Sequence, residues 1–563
     1  MVVCLRKLLD TLMPSNSDLA LTMAFVNPPH ADWSLANNIT YLMCQSHYQR
    51  NGKYADKVRW LPAPYQFNRY QTYQEVYNEI ADADVVMFSS YAWNYSMCDE
   101  IAKIAKFHGK TTVLGGPHIG TNEPALLTTR TCYDYICQPT KPGEVFIEDF
   151  IDSYFENNKR PLKSDISWEI NSEKKRTYLL NHDYSIYEDH MAYLREALTY
   201  AKSNQIEPFI VVETTRGCPY SCVFCEWGGG IETKILKKDI EIVKRDIDAM
   251  LECGFSSAYL TDANFGVFFD RDLEIFKYAW ARGFNLTDIS TMKSKDLAKR
   301  KRLIDAWFET VGGNVSLASS SIVPTVSIQS ISDQAMKIAK RVDLCFKDKI
   351  ELSKHIRSKC EQYDYPTPAL ELILAMPGST LSDFYDEMEI VWNFKAWGSY
   401  RHDYMFLPDS TLNSTRYKEQ YQIKTVEVYS DTVDEDGIDN INSLYKNRIS
   451  YFKTILSCFS FNEGEMREMW FMNNASNFLL ENFYAELESY VSPGEFCKLC
   501  YNEITQLEDF KAIDTEIRDI FDPATAPRSI RQLGNRFRVD VIEEFLEKNK
   551  LLFMSGVIAK CLN

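Results

Sequence analysis

Apolar residues follow two rhythms along this chain. The stretch "LTMAFVNPP" from Leu21 is a short apolar block stopped by two prolines, and "DADVVMFSSYAWN" from Asp82 is a second, strongly β-forming block. In "SMCDEIAKIAKFHGK" the spacing changes, with Ile101, Ile104, Ala105 and Phe107 on a helical repeat that ends near Gly109. "TTVLGGPHIG" is the next strand, leaving through a Gly-Gly-Pro turn, and "YDYICQPTKPGEVFIEDFIDSYF" adds a short strand and a closing helix. This alternation predicts an open parallel, Rossmann-like sheet domain over residues 1–156, with its ligand crevice over the strand C-terminal ends.

Residues 157–207 are charged and Tyr-rich, and read as a connector with some helix. The alternation then restarts with "PFIVVETT", "SSAYLTDAN", "FNLTDISTM", "SIVPTVSIQS", "PALELILAMPG" and "HDYMFLP", six strands separated by helical stretches. Right-handed crossovers would curl these units into a partial (β/α)6 TIM-like barrel over 208–408, with functional loops at the strand C-terminal ends. After Pro408 the chain turns to aromatic-rich helical stretches such as "EMREMWFMNNASNFLLENFYAELESYV", which predict a separate helical C-terminal domain over 409–563. The fold class expected is therefore α/β in three parts. Trp470, Phe471, Phe478 and Phe483 sit at helical spacing, which makes them core before it makes them a substrate wall.

Composition narrows the function. The 563 residues carry a formal charge of -17, which counts against an extended phosphate-binding surface, so no nucleic acid is expected as partner. The densest basic run, "KSKDLAKRKR" from Lys293 to Arg302, is read as a solvated helix face. No apolar run reaches the roughly 18 to 20 residues that cross a bilayer, and the N-terminus lacks a convincing cleavage site, so no membrane association is expected. Fifteen cysteines without a disulfide-like framework fit a reducing cytoplasm.

One cysteine group stands apart. In "ETTRGCPYSCVFCEWGGG", Cys218, Cys222 and Cys225 fall within eight residues, just after the first barrel strand. Three thiolates on one loop can hold three irons of a four-iron, four-sulfur cube and leave the fourth open to a ligand. Zinc and plain burial are the competing readings; structural zinc normally takes four ligands, and the next histidine, His355, is far along the chain. Gly228, Gly229 and Gly230 permit close backbone approach or a positive φ, or simply make a flexible turn.

The CxxxCxxC spacing, with aromatic Phe224 before the third cysteine, resembles the signature of the radical S-adenosylmethionine superfamily. That resemblance implies a [4Fe-4S] cluster on Cys218, Cys222 and Cys225 whose unique iron chelates S-adenosyl-L-methionine. Reductive cleavage would then yield a 5'-deoxyadenosyl radical, with Phe224 near the adenine. The resemblance also implies that Asp262 and Asn264, in "LTDANFG", meet the methionine amino group. Ser327 and Gln329, in "VSIQS", would meet the ribose, and Glu371, in "ELILAMPGST", would lie beside the adenine. No catalytic side chain is assigned.

The N-terminal sheet resembles the cobalamin-binding domain of a large subgroup, on "VNPP" near Asn27, "SSYAWN" near Ser89 and "GGPHIG" near Gly115. It departs from the pattern in two ways. There is no DxHxxG stretch, so a cobalt-ligating histidine of that type is not expected and His118 is read as a polar loop residue. The acidic turn survives only as Gly143 and Glu144 of "PTKPGE". The resemblance implies cobalamin as a further cofactor, cobalamin-dependent methylation of an unactivated carbon in a small-molecule or peptide substrate, and an external electron donor such as flavodoxin or ferredoxin. Cobalamin-independent peptide modification such as epimerisation, and a non-catalytic iron-sulfur protein, are the alternatives. Cys497 and Cys500, in "FCKLC", are read as incidental buried cysteines rather than an auxiliary cluster or redox pair.

Overall fold

The computed structural model describes the chain outside residues 1–20, 30–37, 120–129, 138–141, 162–182, 226–234, 313–325, 366–369, 395–398, 404–409, 430–450 and 523–534 and a few isolated positions. Gly228, Gly229 and Gly230 lie outside the described residues. What is described divides into two compact units, the first drawn from Met1–Leu179 and Ile186–Glu207, the second chiefly from Pro208–Ile441 and Tyr445–Asn563.

The first unit is built on a parallel sheet. Its strands are β1 (Leu21–Val26), β2 (Val58–Trp60), β3 (Val85–Ser89), β4 (Thr111–Gly115) and β5 (Tyr135–Ile136), in the order β2-β1-β3-β4-β5. All five residues of β3 are buried and β1 is nearly so, the unbroken apolar run expected of strands covered on both faces. Helix Ile39–Asn51 packs with Gly143–Glu156, and Tyr73–Glu79 with Tyr95–Phe107. In this order the chain reverses direction across the sheet between β1 and β3, and open parallel sheets bind ligands beyond the carboxyl ends at such a point.

Part of the expected connector belongs to this unit. Helix Met191–Ser203 buries Leu194, Ala197, Leu198 and Ala201 at helical spacing. Asn38 Nδ2 donates to the Tyr193 hydroxyl at 2.7 Å, and that hydroxyl donates to the Ala63 carbonyl at 3.1 Å. Just ahead of the helix, His190 Nε2 lies 3.1 Å from Ser46 Oγ. Tyr184 and Tyr187 are buried and Tyr193 packs edge-on to Tyr41 and Tyr65, so the described tyrosines of this stretch are packed rings rather than linker.

In the second unit β6 (Val211–Val212) leads into a short antiparallel pair, β7 (Thr215–Arg216) with β8 (Leu236–Lys237). β9 (Ser257–Leu260), β10 (Asn285–Thr287), β11 (Val326–Gln329), β12 (Leu370–Leu374) and β13 (Ser399–Asp403) follow, with helices between successive strands. Among the described residues these form two parallel sheets, β10-β9-β6 and β11-β12-β13, rather than one continuous arc. Residues 313–325, between β10 and β11, lie outside the description. The sixth strand begins at Ser399, earlier than the "HDYMFLP" stretch that starts at His402.

The C-terminal region is not purely helical. β14 (Lys424–Tyr429) and β15 (Tyr451–Ser457) pair antiparallel before helices Glu463–Leu479, Pro493–Ile504, Phe510–Phe521 and Asn535–Cys561. Nor do these elements form a separate unit. The Gly378 amide donates to Ser460 Oγ at 2.9 Å and the Tyr385 hydroxyl to Glu468 Oε1 at 2.7 Å. Gly494 approaches so closely that a Cβ there would lie 2.4 Å from the Tyr385 carbonyl oxygen. Trp470 and Phe471 are buried in this packing. Phe478 and Phe483 are half-buried and pack on each other. Cys497 and Cys500 are fully buried, and burial pushes the Cys500 thiol far up, as an inert core cysteine requires. No helix among the described residues is long and apolar enough to cross a membrane.

Candidate functional site

The cysteine loop follows the β6 end. Gly217, at φ +94°, turns the chain into Cys218. Three hydrogen bonds with other parts of the chain then fix the loop. The Tyr220 hydroxyl donates to the Lys293 carbonyl at 2.7 Å, the Val223 amide to the Ala339 carbonyl at 3.0 Å, and the Leu412 amide to the Val223 carbonyl at 3.0 Å. Cys218 and Cys222 are buried, Cys225 partly so, and half-buried Phe224 sits between the last two.

Two cations serve this loop. Burial pushes the Cys222 thiol up, while the charges of Arg341 and Lys293 pull it down towards the thiolate. Lys293 Nζ donates to the Ala263 carbonyl at 2.6 Å. Burial and the nearby Arg341 guanidinium push its ammonium down to about 8, against the opposing pull of Cys218, Cys225 and Glu371. Arg341 in turn donates to the Ser327 carbonyl at 2.6 Å and sits beside Asp343 at 3.4 Å. A cube held by three thiolates is negative overall, so this donor set with two flanking cations fits it. No three histidine, cysteine or carboxylate side chains among the described residues converge on a single ion. A cube asks for something else, since each thiolate takes a different iron.

Lys293 and Arg300 correct the reading of the basic run as a solvated face. Lys293 lies in the site, and Arg300 is buried in an ion pair with Asp343 at 2.8 Å. Sequence offered little to mark them: a lysine inside a charged run carries no sign that it turns inward. Arg341 gave no signal at all, being positioned by the turn after helix Asp333–Ile338.

The implied cofactor residues divide into groups. Asn264 is buried, donates through Nδ2 to Cys218 Sγ at 3.1 Å, and leaves Oδ1 buried without a partner. Such an orphaned acceptor beside the loop fits a ligand bearing N–H donors. Ser327 and Glu371 face each other in register on β11 and β12, and the serine hydroxyl donates to the carboxylate. Gln329 is buried in the left-handed region at φ +67°, at a register shift that ends β11, and Ala375 just past β12 has φ +61°. Strain of this kind at adjacent strand ends is typical of functional edges. Asp262 is engaged elsewhere. Its carboxylate accepts the Thr214 amide at 2.7 Å, the Thr215 amide at 2.9 Å and the Thr214 hydroxyl, so it braces the loop entrance rather than facing a ligand. Burial raises its pKa to about 6.

The first unit has its own candidate site, at the carboxyl ends of β1, β3 and β4. Asn94 Nδ2 donates to Asn27 Oδ1 at 3.1 Å and to the Pro28 carbonyl at 2.9 Å, tying the β1 end to the β3 end. Gly116, at φ +100°, lies so close to the β3 end that a Cβ would meet Ser90 oxygen at 2.4 Å. Ser90 Oγ and His118 Nδ1 are shielded and unpartnered, and the His118 ring stacks on Tyr95 at 4.5 Å. Burial holds His118 down to about 4, a neutral imidazole. The reversal point of the sheet, with two orphaned polar atoms beside it, fits a large cofactor fringed with amides, as a corrinoid is. Glu144 is not in this group: it is buried within helix Gly143–Glu156.

No family model matches the chain. It is 24% identical over 66% of its length to the cobalamin-dependent radical SAM methyltransferase TokK of Streptomyces tokunonensis, covering 55% of that protein. It is 25% identical over 63% of its length to the 2-(S-pantetheinyl)-carbapenam-3-carboxylate methyltransferase of Streptantibioticus cattleyicolor, covering 51% of it. The chain thus spans about half the length of the curated relatives it matches. In fold it is similar to the radical S-adenosylmethionine methyltransferase TsrM of Kitasatospora setae, solved with tryptophan and an S-adenosylmethionine analogue. The TM-score is 0.55 at 13% identity, over 82% of this chain and 89% of that one. With similar proteins of one kind on both counts, and the three-cysteine loop at the end of the first strand of its second unit, the chain is similar in sequence to cobalamin-dependent radical S-adenosylmethionine methyltransferases and shares the fold of a radical S-adenosylmethionine methyltransferase.

Proposed function

We propose that this protein is a radical S-adenosylmethionine enzyme that methylates an unactivated carbon of a small-molecule substrate with the help of cobalamin. The single observation that carries this reading is the loop of Cys218, Cys222 and Cys225, flanked by Lys293 and Arg341 and contacted by Asn264. Both curated relatives are methyltransferases, and the first is named as cobalamin-dependent.

In this reading Cys218, Cys222 and Cys225 hold a [4Fe-4S] cluster, and the sheet edge at Ser90, Gly116 and His118 holds the corrinoid. When bound, the cluster supplies the electron that cleaves S-adenosylmethionine to a 5'-deoxyadenosyl radical, and the corrinoid supplies the methyl group. The chain's own residues bind and shield. Lys293 and Arg341 offset the negative charge of the cysteine loop. Asn264 offers Oδ1 to the amino end of the cofactor, Ser327 and Glu371 offer a linked hydroxyl and carboxylate to its ribose and base, and Phe224 offers a ring face to the adenine. The electron comes from an external donor.

The test is to express the protein with cobalamin supplied, reconstitute it without oxygen, and record its spectrum and products. The expected outcome is stoichiometric cob(II)alamin together with release of 5'-deoxyadenosine on reduction. Cluster and deoxyadenosine without corrinoid would replace methylation by a cobalamin-independent rearrangement or epimerisation. Cluster without cofactor cleavage would make the protein a non-catalytic iron-sulfur protein.

A further inference from the structure

Asn264 is held from both sides. Ahead of it, the Ala263 carbonyl receives Lys293 Nζ at 2.6 Å, and the same lysine's carbonyl receives the Tyr220 hydroxyl from within the cysteine loop. Behind it, Phe265 bridges Thr291 beyond the β10 end, its amide on the Ser290 carbonyl and its carbonyl taking the Met292 amide, both at 2.8 Å. The Gly266 amide is capped by Asp272 Oδ2 at 2.9 Å. The carboxamide therefore has a fixed place beside Cys218.

Its orientation follows from chemistry. A metal-bound thiolate accepts hydrogen bonds and donates none, so the NH2 group faces Sγ. Oδ1 then points away from the sulfur, buried and lacking a donor. The two ends of one amide are electronically joined: a cation at the oxygen draws density from the nitrogen and makes each N–H a stronger donor.

We propose that Asn264 is a positioning residue that couples cofactor binding to cluster reduction, its Oδ1 receiving the ammonium of S-adenosylmethionine while its Nδ2 hydrogen-bonds Cys218 Sγ. This rests on the function proposed above. Reduction adds negative charge to the cluster sulfurs and strengthens the bond from Asn264, and an ammonium at Oδ1 strengthens it further. Linkage makes the effect reciprocal, so the reduced cluster binds the cofactor more tightly through this amide than the oxidised cluster does.

The experiment measures the cluster midpoint potential by redox titration followed by paramagnetic resonance. It uses the wild-type holoprotein and Asn264→Leu, each with and without S-adenosylhomocysteine. That probe has the same amino-acid end and no sulfonium to cleave. The expected result is a potential in Asn264→Leu lowered by about a tenfold change in the one-electron equilibrium, 59 mV, and a probe-induced shift more positive in the wild type than in the variant. Equal potentials and equal shifts in the two proteins, each with a full cluster, would overturn the proposal. Asn264→Ala, which also removes both ends of the amide and adds no charge, gives the same comparison if the leucine variant takes up no iron. Loss of the cluster from both would equally overturn it, since Asn264 would then be structural. Absence of any cluster from the wild type is the separate failure of the proposed function.

Discussion

Asp262 lies past the end of β9 and closes on Thr214, past the end of β6, taking its backbone amide at 2.7 Å and its hydroxyl on the other oxygen. This carboxylate is fully buried, and the neighbouring Thr215 amide completes its coordination. Asp262→Ala leaves two buried amides without acceptors at the entrance to the cysteine loop. The expected loss is about 3 to 5 kcal/mol of stability, measured by denaturant unfolding, together with reduced iron content. A variant as stable as the wild type would show that the brace contributes nothing.

Cys222→Ala should abolish the cluster absorbance and release no 5'-deoxyadenosine under reduction, because a cube bound through two thiolates is exposed on two irons. Iron and sulfide analysis of the anaerobic protein checks this. Cys360→Ala, at a fully packed helix cysteine, should leave the iron content unchanged.

Gly116→Ala puts a Cβ against the Ser90 backbone in a left-handed conformation. The expected cost is about 2 to 4 kcal/mol, seen in unfolding of the first unit, with weaker corrinoid uptake than wild type. Substitution of Gly109, also at positive φ but with nothing within 4 Å of its Cβ, carries only the backbone strain and should cost less.

The first unit should be sensitive to acid. Burial lowers both His118 and His190 to about 4, below the ordinary histidine value. The unfolded chain therefore takes up protons near pH 6.5 that the folded unit refuses. Their contribution is fully present above pH 6.5 and is lost as pH falls towards 4, by about 3 kcal/mol for each histidine. His190→Gln should flatten the pH dependence of unfolding measured between pH 7 and 4.5.

The alternation of apolar blocks and helical repeats made the parallel strands of both units legible, because strands covered on both faces leave uninterrupted apolar runs such as "VVMF". The cysteine loop was legible because ligand spacing is a local property. What escaped depends on contacts between distant segments. Lys293 looked like any lysine of a charged run until the turn after β10 faced it towards Ala263. Asp262 was read as a cofactor residue because sequence places it correctly at a strand end yet cannot say which way its carboxylate turns. The pairing of β14 with β15 crosses a long insertion, and its residues alternate over too short a span to compete with the helical pattern around them. The tyrosine-rich stretch misled, because rings that looked like linker are packing, whereas Trp470 and Phe471, placed in the core by their helical spacing, are buried there.

Val223, directly after Cys222, donates its amide to the Ala339 carbonyl and accepts the Leu412 amide on its own carbonyl. The peptide at the heart of the loop is thus shared with stretches that come after β11 and after β13. Opening it means parting three distant pieces of chain at once rather than lifting one flap. Its amide protons should accordingly exchange with solvent only on the slow timescale of the whole second unit's unfolding.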